Sequence, residues 1–439
     1  MELPKLDLPK FMLAGTGEKA QYLVHDFNDN TIRFVLHYSG LLNRDRLSQA
    51  TKALVGSLHI LHSSFIAGKV TAHWRINKDY EEADYFTYIE TTENLMELAL
   101  ENSLLPIEPS GKTQLHCTLV QDKSDSVLVF RASHLCVDGS DGKYLLGKLA
   151  ESYHLIITEG NADRLELKHG SRMAEQIYKE LSPKEYFSLM KNPISTIKTV
   201  FPFPTEEKGE PRITTAVIPA ATMAQAKKRG KETGATVNDI LLTALYHAYV
   251  SLPNIDDNTP MSIMSMMDLR QHCKNGESEG LCNMSGSLPT VLETGIANTF
   301  EETLAIIANQ TKAAKENPLA GMEGMPLLHG VARTIPMGLL LQAVAKVYGS
   351  MAMGFTNLGM IDCNQLKLEN ITPDTGFVGG PLKKKAALQV CTGSFNGIAA
   401  LSVVGEYTEE DKALIQILLD HMVAIVTEYG NTFFTSMEY

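Results

Sequence analysis

The chain has 439 residues, a formal net charge of −12 and a hydrophobic fraction of 44%. A single hydrophobic core rarely grows to this size, so length and composition predict two sizeable domains. The acidic balance argues against sequence-independent binding of nucleic acid, which depends on cationic side chains that contact phosphates.

The N-terminal part shows a strand, a helix and a second strand. Thr31–Tyr38 is rich in β-branched and aromatic residues, which predicts a strand. Arg44–Phe65 predicts a helix, because one of its faces carries the apolar residues Leu47, Ala50, Leu54, Leu58 and Leu61. A turn at Pro106–Pro109 leads to Gln114–Gln121, the second predicted strand.

A histidine ends the next predicted strand. The apolar run from Val127 to Ser133 is followed by His134 and then by Asp138 and Gly139. A residue at a strand end is held by the sheet while its side chain faces whatever lies beyond. The alternative is a packed or surface histidine, since the chain has 13 of them.

The residues after His134 predict a tight turn and a helix. Gly139 is expected to supply the unusual backbone angles of a sharp exit from the strand. Ser140 or Asp141 is expected to cap the predicted helix Lys143–Ile156. Strand, histidine, turn and helix thus form one coherent unit.

A nucleophilic cysteine and a metal site are the other kinds of site that the sequence suggests for its histidines. Cys136 lies two residues after His134, so a nucleophilic Cys–His pair is an alternative, less favoured than simple packing of the thiol. His59 and His62 are one turn apart but have no acidic or cysteine partner at a metal-ligand spacing. No metal site is predicted.

The second half alternates strands and helices after a proline-rich crossover, Leu181–Pro211, with one short helix at Pro183–Lys191. The predicted strands are Ile213–Pro219, Ser262–Met267, Met284–Leu292, Ala352–Asn357, Ala386–Thr392 and Gly397–Gly405. The predicted helices are Ala221–Thr233, Val237–Leu252 and Glu409–Tyr429. On the last helix, the residues expected to face the core are Leu414, Ile417, Leu418, His421 and Val423.

The sequence favours a cytoplasmic protein without a membrane span. No segment reaches the ~18 uninterrupted apolar residues of a spanning helix. The best candidate, Ile335–Phe355, is interrupted by polar residues, and the N-terminus carries Glu2 and no hydrophobic signal region. The six cysteines lack CxxC spacing, which fits a reducing compartment.

The spacing His134-x-x-x-Asp138-Gly139 resembles the HxxxDG signature of the CoA-dependent acyltransferase superfamily. This group includes chloramphenicol acetyltransferases, alcohol acyltransferases and the condensation domains of nonribosomal peptide synthetases. Gln114–Gln121 is similar to the family segment that forms a hairpin with the histidine strand.

Gly234–Leu245 is similar to the helix that opens the family's C-terminal subdomain, with Thr236 as N-cap and Asp239 at the capping-box position. The resemblance implies an α/β fold of two chloramphenicol-acetyltransferase-like sandwich subdomains with the active-site tunnel between them. We place the N-terminal subdomain at 1–180, the crossover linker at 181–211 and the C-terminal subdomain at 212–439.

The resemblance also implies roles for individual residues. His134 is the expected catalytic base, because a neutral imidazole with a pKa near 6.5 accepts the proton of an attacking alcohol or amine. Asp138, Gly139 and Arg270 are expected to support the site, and Asp138 and Arg270 to form a structural ion pair between the halves.

Two further groups of residues are candidates for substrate contact. Asn357 or Thr356, in a segment similar to the family's tunnel-facing Asn-x-Gly strand, is expected to orient substrate or to stabilise negative charge. Lys383, Lys384 and Lys385 resemble basic positions near the tunnel mouth of some relatives and are donor-binding candidates, with simple solvation as the alternative.

The predicted function is acyl transfer from a thioester, with acyl-CoA favoured as donor, to a small-molecule alcohol or amine. No bound cofactor is expected; acyl-CoA or a phosphopantetheine thioester would serve as co-substrate. Ser133 replaces the first histidine of peptide-synthetase condensation domains, and Leu61–Phe65 lacks the family's arginine. The alternatives are a free-standing condensation enzyme that uses an acyl carrier protein in trans, and a non-catalytic relative that binds acyl groups or carriers.

Overall fold

The structure, a computed structural model, describes residues 10–68, 71–190, 197–348, 353–384 and 387–431. Its strands are β1 (Phe11–Leu13), β2 (Thr31–Tyr38), β3 (Ser63–Ala67), β4 (Ala72–Ile76), β5 (Phe86–Glu90), β6 (Leu115–Gln121), β7 (Ser126–Ser133), β8 (Glu210–Ile218), β9 (Met261–Asp268), β10 (Ser285–Leu292), β11 (Gly354–Ile361), β12 (Thr375–Gly379), β13 (Gln389–Phe395) and β14 (Ile398–Tyr407). Its helices are α1 (Thr16–Tyr22), α2 (Arg44–Ser57), α3 (Glu82–Tyr85), α4 (Leu95–Ser103), α5 (Gly139–Glu159), α6 (Pro183–Ser188), α7 (Ala220–Thr233), α8 (Val237–Val250), α9 (Phe300–Glu316), α10 (Met325–Thr334), α11 (Met337–Tyr348) and α12 (Glu409–Asn431).

The first large sheet has the strand order β12-β2-β7-β6-β5, and a small sheet β1-β4-β3 lies in the same half. β7 is antiparallel to both β2 and β6, which confirms the predicted hairpin of β6 with the histidine strand. Leu128 and Phe130 of β7 join the core beneath α2 and α5, whereas Val127 and Val129 join a separate core with α4. Because β7 is buried on both faces, it holds His134 in a fixed place.

The second large sheet has the strand order β10-β9-β11-β13-β14-β8. β11 is parallel to both of its neighbours, β9 and β13. The core of this half includes Leu241 and Leu245 of α8, Phe355 of β11 and Leu418 of α12. Helices packed on sheets in both halves confirm the predicted α/β class.

One strand of the second half completes the sheet of the first half. β12 pairs antiparallel with β2, with Phe377 opposite Val35. By sequence β12 lies within 212–439, so the two sheets are linked by a strand exchange as well as by the crossover. The subdomain boundaries given above remain predictions.

The helix predicted over Arg44–Phe65 is too long. α2 ends at Ser57, Leu58 is extended, and a single 3₁₀ turn, His59–His62, leads into β3. Leu58 and Leu61 are nevertheless buried, because a 3₁₀ turn repeats every three residues and keeps them on one side. The helical spacing of apolar residues therefore extends past the end of α2, which is why the predicted helix is too long.

The helix predicted at Lys143–Ile156 begins earlier than predicted. α5 starts at Gly139, and its N-cap is Asp138, whose carboxylate accepts a hydrogen bond from the Asp141 N–H at 3.0 Å. Neither Ser140 nor Asp141 is the cap. The predicted capping box of Thr236 and Asp239 at the start of α8 is confirmed.

The core-facing side of α12 was predicted in part. Leu418 is buried and Leu414 and Val423 pack against the core, as predicted, but Ile417 is 42% exposed. Ile415, Leu419 and Met422 are buried as well. Within the described residues, α12 is the one helix long and apolar enough to span a membrane by length and composition. Its apolar face packs against α7, α8 and β8, as a core helix does. Ala352 and Ala386, predicted to begin two strands, lie outside the described residues.

Candidate active site

A cavity of about 710 Å³ lies between the two halves of the molecule. Its wall takes residues from both sheets and from the start of α5. Most residues singled out from the sequence line it, namely His134, Asp138, Gly139, Thr356, Asn357 and Lys383. The fold therefore brings together side chains that are up to 249 positions apart, from His134 to Lys383.

His134 directly follows β7 and is partly exposed to the cavity. Its backbone N–H donates to the Asn30 carbonyl oxygen at 2.7 Å, which ties the turn to the residue before β2. Its ring Nδ1 lies 2.8 Å from the Val137 carbonyl oxygen, which can only accept. Nδ1 therefore carries the proton of the neutral ring, and Nε2 keeps a free lone pair. Nε2 has no hydrogen-bond partner among the described residues.

Asn283 fixes the His134 turn from the second half of the chain. Its amide Nδ2 lies 3.2 Å from His134 Nδ1 and 3.3 Å from the His134 carbonyl oxygen. Since Nδ1 already carries a proton, the amide donates to the carbonyl oxygen. Its Oδ1 accepts from the Ser285 N–H at 3.1 Å. Sequence reasoning missed Asn283, because an asparagine before a strand is an ordinary turn residue.

Burial lowers the pKa of His134 below its ordinary value of 6.5. The Val137 carbonyl and the Asp138 carboxylate act in the opposite direction, and the positive charge of Lys383 lowers the pKa further. The net decrease keeps the imidazole neutral at neutral pH. His134 is therefore in the form that accepts a proton.

The Arg270 guanidinium binds the carboxylates of three aspartates, Asp138, Asp141 and Asp268. We call these four residues the Arg270 cluster. Arg270 NH1 lies 2.7 Å from Asp138 Oδ2 and 3.1 Å from Asp268 Oδ1, and its NH2 lies 2.9 Å from Asp141 Oδ2. Its remaining contacts, at 3.1 and 3.0 Å, are to the Ser278 hydroxyl and the Cys282 carbonyl. The sequence predicted one of these ion pairs and missed the other two.

Asp138 uses both of its oxygens for structure. Oδ1 caps α5, and Oδ2 accepts from Arg270 and from the Met284 N–H at 2.8 Å. These contacts occupy both oxygens of the carboxylate. Asp138 therefore joins the start of α5 to the second half of the chain.

Two buried carboxylates share the one guanidinium. Burial and the neighbouring charge of Asp138 raise the pKa of Asp141 to about 7, although Arg270 and the Cys282 N–H oppose the rise. Burial acts to lower the pKa of Arg270, but its carboxylate partners more than offset this and raise it. The cation is thus permanently charged and holds the cluster together.

Gly139 is required for a different reason than the one predicted. Its φ is not positive, and it is the first residue of α5. A Cβ at this position would lie 2.1 Å from Cδ2 of Leu358 on β11. The glycine therefore allows the start of α5 to approach the second sheet closely.

Thr356 and Asn357 lie on the cavity wall at the middle of β11. The Thr356 hydroxyl accepts a hydrogen bond from the Gln389 side chain, so its own hydrogen remains available. Asn357 Oδ1 accepts from the Gly359 N–H at 2.8 Å, and its Nδ2 donates to Asn238 at 3.3 Å. Gly359 has a φ of +67°, and the pairing of β11 with β13 is irregular here.

Lys383 and Lys384, two of the three predicted donor-binding lysines, lie in different surroundings. Lys383 lines the cavity and is partly buried, Lys384 is exposed, and Lys385 lies outside the described residues. The prediction treated the three as one donor-binding run, with simple solvation as the alternative. The segment is instead fixed to both halves, since the Lys384 N–H donates to the Phe27 carbonyl and the Lys383 N–H to that of Val404.

The alternative sites find no support in the geometry. The Cys136 thiol is buried, and burial raises its pKa, which disfavours the nucleophilic thiolate. His59 and His62 contact each other at 3.4 Å. Within the described ranges, no group of three or more histidine, cysteine, aspartate or glutamate residues is arranged to hold a metal ion.

No protein-family model matches the chain. Gramicidin S synthase 2 from Brevibacillus brevis is 26% identical over 274 residues, which is 58% of this chain and 6% of that protein. Gramicidin S synthase 2 from Aneurinibacillus migulanus is 26% identical over 329 residues, which is 69% of this chain and 7% of that protein. The chain thus spans a small part of the curated relatives that it matches.

Solved structures match nearly the whole chain. Polyketide synthase associated protein 5 from Mycobacterium tuberculosis has a TM-score of 0.66 at 14% identity and covers 95% of this chain and 98% of its own. A trichothecene 15-O-acetyltransferase from Fusarium sporotrichioides has a TM-score of 0.68 at 11% identity, with coverages of 95% and 96%. The first condensation domain of the CDA synthetase has a TM-score of 0.68 at 13% identity, with coverages of 96%.

These likenesses define the class of the fold. The chain has the two-subdomain, chloramphenicol-acetyltransferase-like fold of acyltransferases and condensation domains. The α/β fold of two chloramphenicol-acetyltransferase-like subdomains, which the HxxxDG resemblance implied, is therefore confirmed.

Proposed function

We propose that the protein transfers an acyl group from a thioester to an alcohol or amine, with His134 as general base and acyl-CoA as the favoured donor. One observation carries the proposal: His134 exposes an unpaired Nε2 to a cavity between the two halves. A cavity of about 710 Å³ has the size of a small-molecule site.

In the proposed reaction, Nε2 takes the proton of the hydroxyl or amine as that group attacks the thioester carbonyl carbon. A bond from oxygen or nitrogen to carbon forms, and the carbonyl electrons move to oxygen in a tetrahedral intermediate. The carbonyl then reforms, the carbon–sulfur bond breaks, and the imidazolium returns the proton to the leaving thiolate. A positioned base of this kind contributes about 10²–10⁴-fold in rate.

Thr356 is the better candidate to stabilise the negative oxygen of that intermediate. Its hydroxyl hydrogen is free because its oxygen accepts from Gln389. The Asn357 side chain holds its own turn through Gly359 and contacts Asn238. A donor already aimed at the oxyanion costs no rearrangement when charge develops.

A carrier-bound thioester is the second candidate donor. The curated relatives are gramicidin S synthases, of which the chain matches only a small part. Condensation domains also share its fold. CoA and a carrier protein both present the thioester on a phosphopantetheine arm, so the same catalytic wall suits either donor.

The test is thiol release by the purified protein from a panel of acyl-CoA esters and from acyl-loaded carrier protein, with pooled alcohols and amines. His134→Ala should lower turnover by about 10²–10⁴-fold. His154→Ala, which changes an exposed histidine of α5, is the matched control and should retain full activity.

Each outcome assigns the protein to one class. Turnover with CoA esters supports the favoured donor, and turnover with the loaded carrier alone supports the condensation reaction. Turnover that survives His134→Ala would remove His134 from the mechanism. Silence with both donors would leave the non-catalytic binding protein as the explanation.

A further inference from the structure

Lys383 places a cation on the cavity wall next to the candidate base. Its backbone is held on both sides, because its N–H donates to the Val404 carbonyl at 3.2 Å and its carbonyl accepts from the Glu406 N–H at 2.8 Å. Its side chain lines the cavity and is partly buried. Lys383 and His134 line the same cavity, and the positive charge of Lys383 lowers the pKa of His134.

The charge of Lys383 is not matched by a partner among the described residues. Its ammonium makes no ion pair and no side-chain hydrogen bond there. Asp29 is the nearest candidate, but both of its oxygens bind the Arg33 guanidinium. Burial lowers the pKa of Lys383, which reflects the cost of holding this charge without a partner.

The other charged groups on the same wall are already used. Lys143 donates to the Leu358 carbonyl oxygen at 2.7 Å. Asp138 and Asp268 belong to the Arg270 cluster. Arg33, which also lines the cavity, pairs with Asp29, so within the described part of the cavity Lys383 is the cation whose ammonium makes neither a hydrogen bond nor an ion pair.

We propose that Lys383 binds a carboxylate of the acceptor, so that the acceptors are hydroxy acids or amino acids with a free carboxylate. This inference rests on the proposed acyl transfer and names its substrate class. A carboxylate beside Lys383 would pair the cation and hold the hydroxyl or amine near His134 Nε2. A phosphate of CoA fits this place poorly, because the long pantetheine arm separates the phosphates from the reacting thioester.

The test compares acceptors that differ only in charge. Lactate is measured against lactamide, and β-alanine against β-alaninamide, with the thioester that the native protein consumes. We expect the native protein to prefer each carboxylate in kcat/KM by about 10- to 100-fold, the value of one charge-assisted contact. Lys383→Met should abolish this preference through KM, whereas Lys384→Met, at the exposed neighbour, should keep it.

A second measurement separates recognition from a structural role. Removing the positive charge should raise the pKa of His134, so the acid limb of the rate profile should move to higher pH in Lys383→Met. The folded state of the variant is checked by its thermal midpoint, which should not fall, since a desolvated charge is lost. An equal loss of kcat for acids and amides would overturn the proposal, because that result indicates oxyanion stabilisation instead.

Binding without turnover gives an independent answer. Histidine ring signals in NMR spectra report occupation of the cavity by lactate or lactamide, even if no thioester is consumed. Tighter binding of lactate by the native protein, lost in Lys383→Met, supports the proposal. Equal binding of lactate and lactamide would refute it, and failure of acyl transfer alone would count only against the proposed function.

Discussion

The Arg270 cluster and the cavity wall begin four residues apart in the chain, at Asp138 and His134, yet they use their polar atoms in opposite ways. Every group of the cluster is paired, and its guanidinium contacts three carboxylates. On the wall, His134 Nε2, the Thr356 hydroxyl hydrogen and the Lys383 ammonium are left for a ligand. The HxxxDG segment thus combines a carboxylate whose two oxygens are both bound with an imidazole whose Nε2 has no partner among the described residues.

This division has a physical reason. Paired buried charges form a network with a single low-energy arrangement, which fixes α5 and the His134 turn relative to the second half. Unpaired polar groups cost less at the wall of a cavity than in a core, because water can take the place of the ligand. In the proposed reaction, the cluster therefore positions His134 and takes no part in proton transfer.

Removal of Arg270 is expected to cause the largest loss of stability. Arg270→Met leaves Asp138 and Asp141 buried without their cation, and we expect a loss of about 3–5 kcal/mol in the free energy of unfolding. Urea denaturation measures it. The loss should be largest at alkaline pH and smaller at acidic pH, because protonation of the carboxylates relieves their repulsion.

Arg164→Met is the control for that substitution. Its ion pair with Glu159 spans 3.1 Å, but the arginine side chain is 77% exposed. An exposed pair contributes about 0–1 kcal/mol, so this variant should unfold near the native midpoint. Equal effects of the two substitutions would show that the Arg270 cluster does not hold the halves together.

The role proposed for Thr356 on the cavity wall is tested by removing its hydroxyl. Thr356→Val keeps the shape of the side chain and should lower kcat by about 10²-fold, the usual effect of one oxyanion donor. The KM for the acceptor and the unfolding midpoint should change little. If Asn357→Ala lowers kcat more than Thr356→Val does, the roles of the two residues are the reverse of those proposed.

Local patterns predicted the strands that lead to the site. β2 has the predicted bounds, and the β6–β7 hairpin and the Thr236 cap are as the sequence indicates. These features depend on side chains within a few residues of each other. β12 had no such signal, because Thr375–Gly379 contains two glycines and is a strand only through its pairing with β2.

The site itself was only partly visible in the sequence. HxxxDG marks Asp138, and the resemblance pairs it with Arg270, but the contact of Asp141 with Arg270 forms only when the two halves meet. Asp268 contacts Arg270 from two residues away, and no pattern in the sequence indicated that pair. The same is true of Asn283, which contacts His134 across 149 positions. Lys383 was predicted only as one of three donor-binding candidates, because a run of like residues does not show which one the backbone turns inward.

Substitution of Gly139, where α5 approaches β11 closely, should give a smaller loss of stability than removal of Arg270. Gly139→Ala would place a methyl group against Cδ2 of Leu358, the end of a half-buried side chain that can shift, so we expect a loss at the low end of overpacking, about 1 kcal/mol. Gly147→Ala is a control in the same helix, where the nearest neighbouring atom is 4.0 Å away. That variant should gain about 0.5–1 kcal/mol from helix propensity. Adding Leu358→Ala to Gly139→Ala should recover part of the loss, and no recovery would contradict the assigned contact.

The smallest expected effect is the change of activity with pH that follows from protonation of His134. His134 acts as a base only when its ring is neutral, so kcat/KM should fall as the pH drops through the pKa of His134. Because burial lowers that pKa, the acid limb should lie below 6.5, and activity should persist at pH values where an exposed histidine is already protonated. A pH profile of thiol release, limited to the range where the fold is stable, measures the limb. A limb above 6.5 would mean that His134 is charged in the free protein, and the contrast between a paired cluster and a free base would then be lost.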